Sequence, residues 1–293
     1  MIDDNGTPVR ALDGMSKSIK KAMAEGHKVT VVSCGPCTNI ALFVSIYPDL
    51  LVGIQQFVFM GGGVGLGNRS AVAGGDIFAS GDSISLICGI QNTTSCVTVG
   101  SAWYKHSASL TLVPAEAAQI LLDVPVKKIM MPINVTHTAI ATSAVQARLL
   151  SSGGASTGRV RHTLSTLINF FAETYRTTFG FVDGPPLHDP LTIAFISRPD
   201  LFSCQRYHVD VELNGKHTSG ETVVDVWGYR HCDESWGALG KNCLVAQSVD
   251  VIVPQVHHII RSFDLFLCNQ VDGFFDLFLD CVAQCDKLSP LNN

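Results

Sequence analysis

The chain has 293 residues, 46% of them hydrophobic, with a formal charge of −5. That length suits one large α/β domain or two small ones, and the acidic balance excludes a general nucleic-acid binder, which carries a basic face. No apolar run approaches the roughly 18 residues of a membrane span, and the polar start, Met1 to Gly6, is not that of a signal peptide. The ten cysteines have no regular spacing, which fits reduced thiols in a cytoplasmic protein that meets neither membrane nor nucleic acid.

Along the chain, Leu12, Met15, Ile19 and Met23 recur at helical spacing, and Gly26 closes that helix. Lys28 to Ser33 reads as a short apolar strand, followed by a Gly-Pro turn and a helix near 38–47. Gln56 to Met60 is a second buried strand that ends in three glycines, which completes a βαβ unit with parallel strands. Lys128 to Met131 is another strand, a long helix covers about 160–177, and a further helix starts near His188. Thr222 to Val226 and Cys243 to Ala246 read as later strands. The alternation predicts an α/β fold with a mostly parallel open sheet flanked by helices. Two stretches, 74–112 and 252–270, break this order; the first lacks periodicity, and the second carries Phe263 to Leu267, echoed at Phe275 to Leu279. The whole chain is read as one domain carrying these two insert-like stretches.

Several motifs invite chemistry. Cys34-Gly35-Pro36-Cys37 has redox CxxC spacing at a strand–helix junction, where a helix N-terminus would lower a thiol pKa. The alternative is a turn whose carbonyls point at something. Gly61 to Asn68 has neither dinucleotide nor P-loop spacing, so it reads as a strand-end loop at a ligand-binding sheet edge. Gly154 to Gly158 matches G-x-S-x-G, but follows a helix rather than a strand, and reads as a surface loop. His188-Asp189-Pro190 follows a forced Gly-Pro-Pro turn. Asp189 by itself is expected to cap the following helix, with Pro190 in its first turn. The same pair also suits a carboxylate that ligates a cation beside an imidazole that protonates a leaving group. His137, His208, His217, His231, His257 and His258 show no metal-ligand spacing and read as ordinary residues. The Asn-x-Ser/Thr matches at Asn68, Asn92 and Asn134 read as chance.

Six segments in order resemble the inosine–uridine-preferring nucleoside hydrolase family: Cys34 to Asn39, Met60-Gly61-Gly62, Gly67 to Ala73, Pro114 to Ala118, Gly184 to Asp189 and Gly220 to Asp225. The resemblance implies a Ca²⁺ enzyme that cleaves the N-glycosidic bond of ribonucleosides, commonly as an oligomer. It implies that Asp189 and the main-chain carbonyl of Cys34 ligate Ca²⁺, that His188 protonates the departing base, and that Asn68 binds the ribose. The family's A-E-F-N appears as Ala73-Gly74-Gly75-Asp76, which leaves Asp76 as the polar group for the ribose there. The family opens on a strand bearing D-x-D-P-G-x-D-D, whereas this chain offers Met1-Ile2-Asp3-Asp4. The expectations are a missing first strand, an incomplete calcium shell and impaired activity, since Ca²⁺ takes 6–8 oxygens. The expectation from this pattern is a late start and two translated introns, in most of 74–112 and in 252–270, as in a flawed gene model or a splice variant. A non-catalytic nucleoside- or partner-binding member, and a thiol redox protein using Cys34 and Cys37, are the other expectations.

Overall fold

The computed structural model describes residues 9–64, 114–151, 158–214, 220–250 and 271–290. Two compact units are built from interleaved segments: Met1–Asn134 with Cys204–Ala246, and Val135–Ser203 with Gln247–Asn293.

In the first unit, helix α1 (Ala11–Ala24) leads through Gly26 into β1 (Val29–Ser33), α2 (Thr38–Ile46), a 3-10 turn (Pro48–Gly53) and β2 (Ile54–Met60). Then come α3 (Pro114–Asp123) and β3 (Lys128–Met131). The strand bounds agree with the sequence reading to within two residues. β1 pairs with β2, β2 with β3, and β3 with β7 (Cys243–Val249), each parallel. The order is β1-β2-β3-β7-β4, with β4 at Phe202–Tyr207. Phe57, Val58, Phe59 and Met60 are all buried, as are Ile129, Met130 and Met131. Consecutive buried residues mean that both sheet faces are covered, which is why these strands read as unbroken apolar runs rather than alternating ones. Phe43, Leu121 and Leu122 from the helices close the core against Phe57 and Phe59.

The strand predicted at 222–226 is shorter and lies elsewhere. β6 (Thr222–Val224) pairs antiparallel with β5 (Val209–Val211) in a separate two-stranded ribbon. Both β4 and β5 escaped the sequence reading, because β4 (FSCQRY) carries three polar residues in six and β5 is only three residues long.

Lys128 sits in β3 with its side chain fully buried, and its ammonium donates to the carbonyls of Val124 and Trp236. The Arg206 guanidinium lies 3.8 Å from the Trp236 ring centroid and donates to the carbonyls of Glu234, Ser235 and Lys241. These two cations fasten the 233–241 segment to the sheet without a regular element of its own.

Burial also sets an alkaline limit on the fold. Desolvation pushes the Cys37 and Cys243 thiols up to about 12 and pulls Lys128 down to about 8. Unfolded thiols ionise near 8.5, so each buried thiol withdraws stability as pH rises beyond about that value. Lys128 acts oppositely. Its depressed folded pKa makes stability rise with pH between about 8 and its unfolded value near 10.4. Cys204, raised by burial to about 11, acts like the other two thiols, so three protons lost against one retained leave a net fall of about 2–3 kcal/mol per pH unit between about pH 9.5 and 10.4. Urea midpoints under reducing conditions at pH 8 and pH 10 measure it. Cys37→Ala should flatten the slope, and a slope unchanged by that substitution would contradict this account.

The second unit is helical: α5 (Ser143–Ser151), α6 (Arg159–Phe179), α7 (Pro190–Ser197) and α8 (Asp272–Leu288), preceded by the single turn α4 (Ile133–Thr136). Ala141, Leu149, Ile168, Leu279 and Val282 form its core. Arg161 is buried in α6. Its Nε donates to Asp286 Oδ2 at 3.2 Å and its Nη1 to the Leu149 carbonyl at 2.9 Å. Asp250 accepts the Gly273 N–H at 2.8 Å, so the residue before the 251–270 stretch supports the start of α8 after it. The two insert-like stretches and the G-x-S-x-G serine lie outside the described residues, and no described helix is long and apolar enough to cross a membrane.

Candidate active site

In the first unit, parallel pairing brings the carboxyl ends of β1, β2 and β3 to one edge of the sheet, the edge at which open α/β sheets bind ligands. Cys34, predicted to offer its carbonyl, follows β1 there and is half-buried. Ser33 Oγ donates to the Gly35 carbonyl at 2.8 Å and shapes the turn. Cys37 begins α2 but is buried. Its thiol is raised by desolvation, the reverse of the lowering expected from a helix N-terminus. A redox role for the CxxC pair therefore gains no support from thiolate formation at Cys37.

The strand end after β2 is held at both of its faces. Thr222 Oγ1 accepts the Gly63 N–H at 3.1 Å and lies 2.9 Å from the Gly63 carbonyl. Asn134 accepts the Val64 N–H at 2.8 Å and donates to the Val64 carbonyl at 3.1 Å. Gly62 has φ +77, and a Cβ there would meet Met130 Sδ at 2.9 Å, so this approach needs glycine. Asn134, read from sequence as a chance glycosylation match, is one jaw of this clamp. Asn68 and Asp76 lie outside the described residues.

In the second unit the Gly184-Pro185-Pro186 turn is zipped to the 139–141 segment. Ala141 N–H donates to the Pro185 carbonyl at 2.9 Å and Leu187 N–H to the Ala139 carbonyl at 2.8 Å. Gly184 has φ +141, and an added Cβ would stand 2.4 Å from the Ala141 carbonyl oxygen. Such a φ excludes larger side chains in practice, so glycine fixes the approach of the next four residues.

This turn delivers His188, 4% exposed, into a polar pocket within a buried wall. Thr136 Oγ1 is 2.7 Å from its Nδ1, and Tyr175 Oη is 3.0 Å from its Nε2. His137 packs edge-on against the same ring at 5.3 Å between centroids, and Phe181 packs on His137 at 5.1 Å. Hydroxyl groups can donate or accept. Flanked by two of them, the imidazole keeps both bonds whether it holds one proton or two. Sequence reading found His188 but not Thr136, Tyr175 or His137. The three stand 52, 13 and 51 positions away in the chain, and no local pattern joins them.

Asp189 occupies the N-cap position of α7 with Pro190 in the first turn, yet its side chain makes no capping hydrogen bond. The expectation of a capping role is corrected. The Asp189 carbonyl takes that place, accepting from the Thr192 N–H at 3.0 Å and Thr192 Oγ1 at 2.6 Å. A capping residue normally has extended backbone, whereas Asp189 is αR, which turns its side chain away from the free N–H groups of the first turn. Its Oδ1 is buried with no hydrogen-bond partner, and desolvation pushes the carboxyl up to about 7. An orphaned carboxylate oxygen is costly unless something compensates it, and a cation does so. Asp189 thus fits a metal ligand. Among the described residues no group of three His, Cys, Asp or Glu side chains forms a metal cluster, so Asp189 offers a single carboxylate rather than a shell.

The mostly parallel sheet flanked by helices is an α/β fold of the nucleoside hydrolase type. The family model for inosine-uridine preferring nucleoside hydrolases matches residues 3–99 and 111–253, and the chain belongs to that family. Pyrimidine-specific ribonucleoside hydrolase RihA of Salmonella paratyphi A is 32% identical over 218 residues, which is 74% of this chain and 57% of that protein. A probable ribonucleoside hydrolase of Dictyostelium discoideum is 27% identical over 94% of this chain and 64% of its own length. The chain therefore spans a little over half to two thirds of these curated relatives. Among solved structures, the purine-preferring ribonucleoside hydrolase of Gardnerella vaginalis superposes with a TM-score of 0.66 at 21% identity, covering 97% of this chain and 69% of that one. The inosine-uridine preferring nucleoside hydrolase of Bacillus anthracis gives 0.57 at 16% identity, over 95% and 66% of the two chains. At these identities the structures establish the shared fold.

Proposed function

We propose that the chain hydrolyses the N-glycosidic bond of ribonucleosides, releasing free base and ribose. The observation that carries this reading is the His188 imidazole held between Thr136 and Tyr175, beside the orphaned Asp189 oxygen. His188 is the acid for the departing base, and its two hydroxyl partners let it give up a proton without losing its orientation. Asp189 is a ligand for a divalent cation, taken as Ca²⁺, with the Cys34 carbonyl as a second ligand. Such an ion supplies the positive charge that holds and polarises water and ribose oxygens. Asn68 and Asp76 are the ribose-contacting groups in this reading. The relatives' names divide between purine and pyrimidine preference, so inosine and uridine are both the right probes. Assembly as a homo-oligomer belongs to the same reading.

The test is release of reducing sugar from inosine and uridine by the 293-residue chain, with Ca²⁺ and with a chelator. Slow release that the chelator abolishes is expected. Nucleoside binding without release would replace this reading with a non-catalytic binder. Release that survives chelation would remove Asp189 from the role of cation ligand.

A further inference from the structure

The C-terminal half of α8 holds a feature that the hydrolase reading does not use. Cys281 and Cys285 are both exposed and unpaired, four residues apart in one continuous helix. At 100° per residue they lie on one face, one turn apart, with Cβ atoms about 5–6 Å from each other. The opposite case is Cys37, whose thiol is buried. Phe274, Phe275, Leu279 and Val282 anchor the helix by burial. The thiols can therefore react without unseating those side chains.

Two sulfurs so placed have restricted chemistry. A disulfide needs Cβ atoms about 3.5–4.5 Å apart, closer than one helical turn allows without unwinding. A single atom bonded to both sulfurs at about 2.3 Å each does span the gap. Ions that demand four ligands find too few, since no described group of three His, Cys, Asp or Glu side chains could hold one. Soft centres satisfied by two thiolates remain.

We propose that Cys281 and Cys285 form a bidentate site for soft, thiophilic centres with two open positions, represented by monosubstituted trivalent arsenicals. With phenylarsine oxide, two As–S bonds form, the As–O bond breaks, and both thiol protons leave on the oxygen as water. Arsenic stays trivalent and no oxidant is consumed.

The test is peptide-resolved alkylation of the intact chain, read by mass spectrometry, with and without one equivalent of phenylarsine oxide. Both Cys281 and Cys285 should be protected together. In Cys281→Ser or Cys285→Ser the remaining thiol should be protected at least about 100-fold more weakly, because the second bond is no longer intramolecular. Three outcomes overturn the proposal: alkylation of both residues undiminished by the arsenical, protection in a single variant equal to that in the parent, or ready formation of a Cys281–Cys285 disulfide on mild oxidation.

Discussion

Replacing His188 with alanine should lower ribose release from inosine by about 100- to 10,000-fold, the range lost when a positioned general acid is removed. The expectation rests on place as much as on residue type. His188 is almost fully buried, and its ring is fixed at both nitrogens by Thr136 and Tyr175. A riboside whose leaving group departs without a proton separates acid catalysis from simple damage. His188→Ala should turn over such a substrate far better than it turns over inosine. Equal losses on both substrates, with an unchanged melting temperature, would remove His188 from the role of acid. Tyr175→Phe should give a smaller loss, because the ring keeps its Thr136 partner.

Arg161→Met should destabilise the protein by about 3–5 kcal/mol, the usual cost of stranding one half of a buried ion pair. The side chains of Arg161 and Asp286 are 3% and 11% exposed, so water cannot compensate the carboxylate left behind. Arg161 also donates to the Leu149 carbonyl, so this one side chain ties α5, α6 and α8 together. At about 2–4 °C per kcal/mol, the melting temperature should fall by roughly 6–20 °C. The double variant Arg161→Met/Asp286→Leu should recover much of this, since removing both charges also removes the stranded one. A single variant within about 1 kcal/mol of the parent would show that the pair contributes little. The exposed pair Arg148–Asp276, 45% and 63% exposed, is the contrast, and its loss should cost under about 1 kcal/mol.

The sequence by itself determined the βαβ start, the parallel pairing and the His188-Asp189 pair. Each is written locally: apolar runs of strand length, a Gly-Pro turn, and a Gly-Pro-Pro turn before Pro190. Such signals survive because backbone sterics and burial of both sheet faces act over a few residues. β4 and β5 were not legible, since a polar edge and a three-residue strand carry no periodicity of their own. The capping role of Asp189 was a sound local expectation that tertiary structure reversed: the residue takes αR rather than extended backbone, and burial leaves Oδ1 without a partner. Burial likewise raises the Cys37 thiol, which the local CxxC spacing could not show. Only the tertiary structure brought Thr136, His137 and Tyr175 to His188, and set Asn134 and Thr222 on the Gly63–Val64 strand end. These contacts join positions far apart in the chain, and their energy exists only once the chain has closed around them.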